Sequence, residues 1–285
     1  MYENIVVAFD NTPYSHAALL EAANWVKAHG GRVSLVHAVF FNEEEFGNAP
    51  EQLEKRFELG RKFCSQAKEM VQSGIGITVD ALVSQGEPPD VITDTAREKH
   101  ADLIAMGTYG RKGFKRLLMG SVTSGVIVNS PCDVLVVKKP CDECTGEYES
   151  ILLPYDGSAF SKKALDRACE LSKVDGAKVT VLYVIPRYEE MIGFLKTASI
   201  KESLLHEARK ITEEAKKRAS LLGVSVETKI EEGQAAEKII EAADSLRNNL
   251  IVMGSYGWQG MNRAIMGSTT ERVIIHASCP ILVVR

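Results

Sequence analysis

Two rhythms of apolar and polar residues alternate along the chain. Short runs such as Ile5-Val6-Val7-Ala8 and Leu250-Ile251-Val252-Met253 are apolar on consecutive positions, as strands buried on both faces must be. Longer helical stretches separate them. In the first half the pattern predicts strands at 4–9, 32–39, 77–84, 103–106 and 134–138, with helices at 13–29, 50–73, 88–100 and 121–129. In the second half it predicts strands at 150–155, 178–185, 224–231, 250–253 and 281–285, with helices at 159–173, 200–222, 234–247 and 268–276. The first helix has marked ends: Thr12 as N-cap, Pro13 at the first helical position and Gly30 just past the last. Strand–helix alternation with strands of this kind implies an α/β fold, a parallel sheet doubly wound by helices.

The pattern is written twice. Aligned at an offset of 147, residues 99–137 and 246–284 agree at 18 of 39 positions without a gap. The shared text is LI-x-MG-x-YG-x-x-G-x-x-R-x-x-MGS-x-T, then VI, Cys and LVV. Ile5-Val6-Val7-Ala8-Phe9-Asp10 likewise answers Ile151-Leu152-Leu153-Pro154-Tyr155-Asp156. One period of this length is a domain duplication rather than a solenoid. The expected organisation is a five-stranded domain at 1–140, a linker at 141–148 of polar, Gly-containing composition, and a second five-stranded domain at 149–285.

Composition narrows the function classes. Hydrophobic residues are 45% and charged residues 25%, the balance of a globular protein. A net charge of −4 argues against a nucleic-acid backbone or an anionic membrane as partner. No apolar run approaches the ~20 residues that span a bilayer, and the first residues carry no basic, cleavable leader. A cytoplasmic location is the expectation. Of six cysteines, only Cys141-Asp-Glu-Cys144 has ligand spacing, and it is half of a zinc site. It reads as reduced thiols in the linker, with completion by a second chain as the alternative.

The candidate chemistry lies past the carboxyl ends of the strands, where ligands bind in open α/β sheets. Two features recur there. Asp10 and Asp156 end the first strand of each half. After the fourth strand come Gly107-Thr-Tyr-Gly110, nine residues, then Gly120-Ser121, and Gly254-Ser-Tyr-Gly257, nine residues, then Gly267-Ser268. Paired glycines admit close backbone approach. Gly120-Ser121 and Gly267-Ser268 open a helix whose free N–H groups and dipole favour phosphate. Ser121, Thr123, Ser268 and Thr270 add hydroxyl donors. Arg111, Lys112, Lys115 and Arg116 add positive charge in the first half, and Arg263 in the second. The competing reading makes the glycines turn residues and Asp10 and Asp156 helix caps. Neither a G-x-G-x-x-G after the first strand nor a G-x-x-x-x-G-K-[ST] is present, which excludes a classical dinucleotide fold and a P-loop NTPase.

At these residues the chain resembles the universal stress protein family, over its whole length and as two tandem copies. The family's ATP signature G-x2-G-x9-G-[ST] is matched in both loops, and its D-x-[ST]-x-x-S pattern by Asp156-Gly-Ser158-Ala-Phe-Ser161 and Asp10-Asn-Thr12-Pro-Tyr-Ser15. The resemblance implies adenine nucleotide alpha hydrolase-like, Rossmann-like domains forming an intramolecular pseudo-dimer through their last strands, with a further homodimer open. It implies ATP, with Mg2+, as ligand. Site residues carried over in copy one are Asp10, Asn11, Thr12, Ala38, Met106, Gly107, Thr108, Gly110, Arg111, Gly120, Ser121, Val122 and Thr123. In copy two they are Pro154, Asp156, Gly157, Ser158, Val184, Met253, Gly254, Ser255, Gly257, Gly267, Ser268, Thr269 and Thr270. Ala38 and Val184 would hold adenine through their backbones.

Copy two has Trp258-Gln259 where copy one has Arg111-Lys112, and Glu271 where copy one has Ser124, so copy one should bind the tighter. Phosphoryl transfer needs a positioned nucleophile and charge neutralisation, and no motif supplies them. Six scattered histidines form no hydrolase arrangement, and His37 at the end of the second strand reads as core or rim packing, with a place near the site as the alternative. The expected function is a nucleotide-dependent stress-response or signalling protein with unidentified protein partners, not an enzyme. The alternatives are slow ATP hydrolysis or adenylate transfer, and a nucleotide-free scaffold. The loops that follow the second strands, Phe40–Pro50 and Arg187–Phe194, mix aromatics with acids and read either as partner contacts or as solvated loops.

Overall fold

A computed structural model describes residues 1–40, 50–108, 119–138, 146–186, 198–255 and 266–285. The chain forms two compact units, Met1–Glu147 and Tyr148–Val284. The first contains β1 (Asn4–Ala8), α1 (Pro13–His29), β2 (Arg32–Val39), α2 (Pro50–Gly74), β3 (Val79–Gln85), α3 (Pro88–Glu98), β4 (Leu103–Gly107), α4 (Ser121–Asn129) and β5 (Asp133–Val137). The second contains β6 (Ser150–Pro154), α5 (Ala159–Asp175), β7 (Lys178–Ile185), α6 (Ala198–Leu221), β8 (Val226–Glu232), α7 (Ala235–Ser245), β9 (Leu250–Gly254), α8 (Ser268–His276) and β10 (Ile281–Val284).

Every strand pair within a unit is parallel. The first unit runs β3-β2-β1-β4-β5, and the second runs β8-β7-β6-β9-β10. Order therefore reverses between β1 and β4, and again between β6 and β9, which opens a crevice at the carboxyl ends there. The central strands are buried at nearly every position, β5 without exception. Ile5, Leu35 and Ile104 in one core and Ile151, Leu152, Leu182 and Leu250 in the other are at most 1% exposed. Each such side chain contributes about 1.5–3 kcal/mol on burial. The outer strand β3 exposes Asp80, Ala81 and Leu82.

Local chemistry sets the ends. Thr12 caps α1, Pro13 opens it, and Gly30 (φ 83°) closes it with its N–H on Val26 O. Helices α3 and α7 stop short of the expected His100 and Arg247. Both residues take left-handed φ (49° and 52°), and Ala101 N–H and Asn248 N–H reach back to Ala96 O and Ala243 O (2.8 and 2.9 Å). That closure satisfies the last helical carbonyls and stops the helix. Strands β3 and β8 begin at Val79 and Val226, two residues later than expected, where pairing with β2 and β7 starts. The start of each first strand is tied to its neighbour by one side chain. Asp102 accepts from Glu3 N (2.8 Å) and Asn4 N (3.2 Å), and Asn249 accepts from Glu149 N (3.3 Å) and Ser150 N (3.1 Å).

Candidate functional site at the crevice of each unit

The exit from β1 is a short hydrogen-bonded knot. Asp10 Oδ1 accepts from Thr12 N (3.1 Å) and Thr12 Oγ1 (2.6 Å). Thr12 Oγ1 accepts in turn from Ser15 N (3.3 Å), and Ser15 Oγ accepts from Thr12 N (3.1 Å), a capping box built on serine. Copy two repeats the aspartate bond and the cap without the return bond: Asp156 Oδ1 accepts from Ser158 N (3.0 Å), and Ser158 Oγ from Ser161 N (3.2 Å). The D-x-[ST]-x-x-S spacing is thus a helix-start device in which the third residue caps and the aspartate orients the cap. The middle residue is left-handed in both copies, Asn11 at φ 62° and Gly157 at φ 78°. Asn11 Oδ1 sits 2.9 Å from His16 Nε2.

Gly107 and Gly254 end β4 and β9 against the first turn of α1 and α5. A Cβ on Gly107 would lie 2.6 Å from Tyr14 Cβ, and one on Gly254 2.7 Å from Phe160 Cβ. The first glycine of each loop is therefore required by helix–strand packing, whatever the ligand. The following residues, Thr108 and Ser255, are 1% and 0% exposed, and their hydroxyls have no hydrogen-bond partner among the described residues. Met106 and Met253, one residue before these glycines, are buried.

Gly120 and Gly267 are the N-caps of α4 and α8 and provide no side-chain cap. The first intrahelical bonds are Ser124 N to Gly120 O and Glu271 N to Gly267 O, both 3.0 Å. The N–H groups of residues 121–123 and 268–270 precede them and lie at the positive end of the helix dipole. Ser121 and Ser268 are exposed, and Val122 and Thr269 half-buried. Thr123 and Thr270 depart from expectation. Both are 3% exposed, and their hydroxyls donate to Gly107 O (3.1 Å) and Gly254 O (3.2 Å). They stitch the helix start to the strand end instead of offering a donor to the crevice.

Strand parity orients Ala38 and Val184. Val36 O accepts from Phe9 N (2.9 Å) and Val39 O from Gly86 N (3.2 Å). Alternate residues of a strand present their peptide groups to opposite neighbours, so Ala38 faces the β1 side, beyond the point where β1 ends. Leu182 O and Ile185 O, accepting from Tyr155 N (2.9 Å) and Gly233 N (3.0 Å), orient Val184 in the same way. Pro154 and Asp156 are half-buried at the end of β6 and just past it. Gly110, Arg111, Lys112, Lys115, Arg116, Gly257, Trp258, Gln259, Arg263, Cys141 and Cys144 lie outside the described residues, as do residues 41–49 and 187–197 of the loops after β2 and β7.

Titrating groups near the crevices are few. Burial pushes Tyr155 up to about 12, with Glu214 acting in the same direction, and its buried hydroxyl has no partner among the described residues. Burial holds His16 below its ordinary value against the opposing charge of Asp10. The thiols of Cys64 and Cys169 are pushed up to about 11 and that of Cys132 to about 12, chiefly by burial, so they stay protonated and unreactive at neutral pH. Among the described residues no cluster of three or more His, Cys, Asp or Glu side chains is arranged to hold a metal. No described helix is long and apolar enough to cross a membrane. A cavity of about 240 Å³ lined by Arg32, Ser34, Asp80 and His100 lies at the opposite, amino-terminal end of the first unit's strands.

Sequence reading missed the packing partners of the glycines, Tyr14 and Phe160, and the roles of Ser15 and Ser161. The serine spacing was the available signal for the latter. Nothing in the sequence marks Tyr14 or Phe160.

Comparison with known proteins fits this arrangement. The profile of the universal stress protein family matches residues 1–138 and 147–285. A universal stress protein of Methanocaldococcus jannaschii is 37% identical over 141 residues, covering 48% of this chain and 82% of that protein. One from Mycolicibacterium smegmatis is 25% identical over 298 residues, covering 99% of this chain and 96% of the relative. The crystal structure of a universal stress protein from Archaeoglobus fulgidus superposes with a TM-score of 0.74 at 21% identity, over 99% of this chain and 98% of that one. With the family profile matched twice and the crevice built twice, the chain belongs to the universal stress protein family.

Proposed function

We propose that each unit binds ATP in its crevice and that the protein acts as a nucleotide-dependent stress-response or signalling protein rather than as an enzyme. The observation that carries this reading is the repeated convergence of three features on one crevice. They are the free N–H groups at the start of α4 or α8, the aspartate knot after β1 or β6, and the backbone of Ala38 or Val184 turned past the end of the first strand. In this reading phosphates take the helix N–H groups of Ser121-Val122-Thr123 and Ser268-Thr269-Thr270. The main chain of Ala38 or Val184 takes the adenine edge, and Asp10 or Asp156 faces the ribose or a magnesium ion carried by the phosphates. A Mg2+ ion would come with the nucleotide, because the carboxylate alone offers one protein ligand.

Glu271 in the first turn of α8 sets a negative charge beside the phosphate position in copy two, so copy one holds the tighter site. The test is the nucleotide released on denaturing freshly purified protein. One or two ATP per chain is the expected outcome. Mostly ADP or AMP would favour turnover, and no adenylate, with none taken up from ATP and Mg2+, would overturn the reading.

A further inference from the structure

We propose that His37 is a positioning residue for the nucleotide site of copy one: its imidazole takes the bond that would otherwise continue the β1–β2 ladder, and so leaves the Ala38 N–H turned to the ligand. The proposal rests on the nucleotide reading above. The last register pair of β1 and β2 is Ala8 with Val36, and Phe9 N still reaches Val36 O. In a regular parallel ladder the next bond would run from Ala38 N–H to Phe9 O. Instead His37 Nδ1 lies 2.7 Å from that carbonyl. A carbonyl only accepts, so Nδ1 carries the hydrogen. The chain is thereby released from β2 at Phe9, one residue before Asp10, with its buried acceptor satisfied.

The neighbouring helix is shaped around this ring. His37 is 5% exposed. A Cβ on Gly60 of α2 would lie 2.7 Å from its Cδ2, and the Phe63 ring meets it edge-on at 6.2 Å. Copy two has Tyr183 at the position of His37 and Ala208, which carries a Cβ, at that of Gly60, so the device belongs to copy one alone. Losing the imidazole donor leaves Phe9 O to the next main-chain donor in ladder order, Ala38 N–H. That is the group that would donate to N1 of adenine. Guanine presents a hydrogen at N1 and an acceptor at O6, the reverse of adenine, so the same backbone edge discriminates between the two bases.

The test titrates the full chain and its His37→Phe and His37→Asn variants with ATP and GTP, resolving two classes of site by calorimetry, with inorganic tripolyphosphate as competitor. His37→Phe should weaken one class for ATP about tenfold, the ~1.4 kcal/mol of one well-placed hydrogen bond, and leave the other class unchanged. The preference for ATP over GTP at the weakened class should shrink by a similar factor while tripolyphosphate competes as before. His37→Asn keeps a donor near Nδ1 and should restore binding to within about threefold. Unchanged ATP affinity and base preference in His37→Phe would overturn the proposal. So would a parallel loss of ATP and tripolyphosphate, which marks a general structural role, or an asparagine variant as weak as phenylalanine. Absence of uptake by the unsubstituted chain would instead overturn the nucleotide reading itself.

Discussion

After β1 the chain turns into α1 through Asp10-Asn11-Thr12, and after β6 into α5 through Asp156-Gly157-Ser158, with the same capping pattern in both. What surrounds those two turns differs. In copy one, histidines flank the turn: His37 on the Phe9 carbonyl and His16 on the Asn11 side chain, the His16 ring also edge-on to Phe9 at 4.9 Å. In copy two the second helix is tied to the first by ions. Arg218 grips Asp166 with two bonds of 2.6 Å, and Lys162 lies 2.8 Å from Glu214. At the four positions of that ionic pairing copy one has Leu20, Met70, His16 and Gln66, none of them buried. The capping motif is shared because the backbone geometry of a strand-to-helix turn leaves few solutions. Its surroundings are free to differ, because a buried imidazole bond and a half-exposed ion pair can each hold a helix in place.

The part the two copies share gives the largest expected effect. Gly107→Val and Gly254→Val each drive a side chain into the first turn of the adjacent helix, at a cost of about 3 kcal/mol. Native-state hydrogen exchange should show the loss in the substituted unit, with similar size in both. A loss confined to one copy would break the equivalence. Valine at either glycine therefore reports folding as well as ligand binding, and it is a poor way to silence one site.

A smaller effect separates copy two. Arg218→Ala should cost about 1 kcal/mol or less, because the pair is partly exposed. The double change Asp166→Leu with Arg218→Met, which installs the copy-one residues, should come out near neutral in denaturant unfolding. A large loss in the double variant would mean that the ion pair carries orientation that apolar contact cannot supply.

The smallest effect separates copy one by pH. Burial holds the folded-state pKa of His16 below its ordinary 6.5, so the native state binds fewer protons than the unfolded one below that pH. Stability of the first unit from this group is complete above 6.5 and falls as pH drops toward the folded-state value. Copy two has Lys162 at this position. His16→Gln should flatten the pH dependence of exchange in α1 and leave α5 as it was. An unaltered profile would show that another group carries it.

Much of this was legible beforehand because it is local. Thr12 and Pro13 opening α1, Gly30 closing it, and strands apolar at consecutive positions follow from bonding and burial over a few residues. The tandem repeat needed only comparison of the chain with itself. The helix ends before His100 and Arg247 are not legible in the sequence, because a left-handed non-glycine closure leaves no compositional mark. The site was legible as spacing and not as roles. The spacing suggests backbone approach to a ligand at Gly107, and the fold also presses it against Tyr14. Thr123 was read as a phosphate donor and proves to bond Gly107 O.

The sequence by itself determined the α/β alternation, the duplication and the residues that start each helix, since these depend on periodicity and on bonds between near neighbours. The tertiary structure decided which side chains face the crevice and which are spent holding it together. Those outcomes turn on approaches of 2.6–3.2 Å between residues far apart in the chain, such as Gly107 with Tyr14 and Thr270 with Gly254. They turn also on strand parity, which fixes the direction of the Ala38 backbone only once β1 has stopped pairing with β2. Neither can be read from spacing along the chain, because both depend on where a second segment comes to lie.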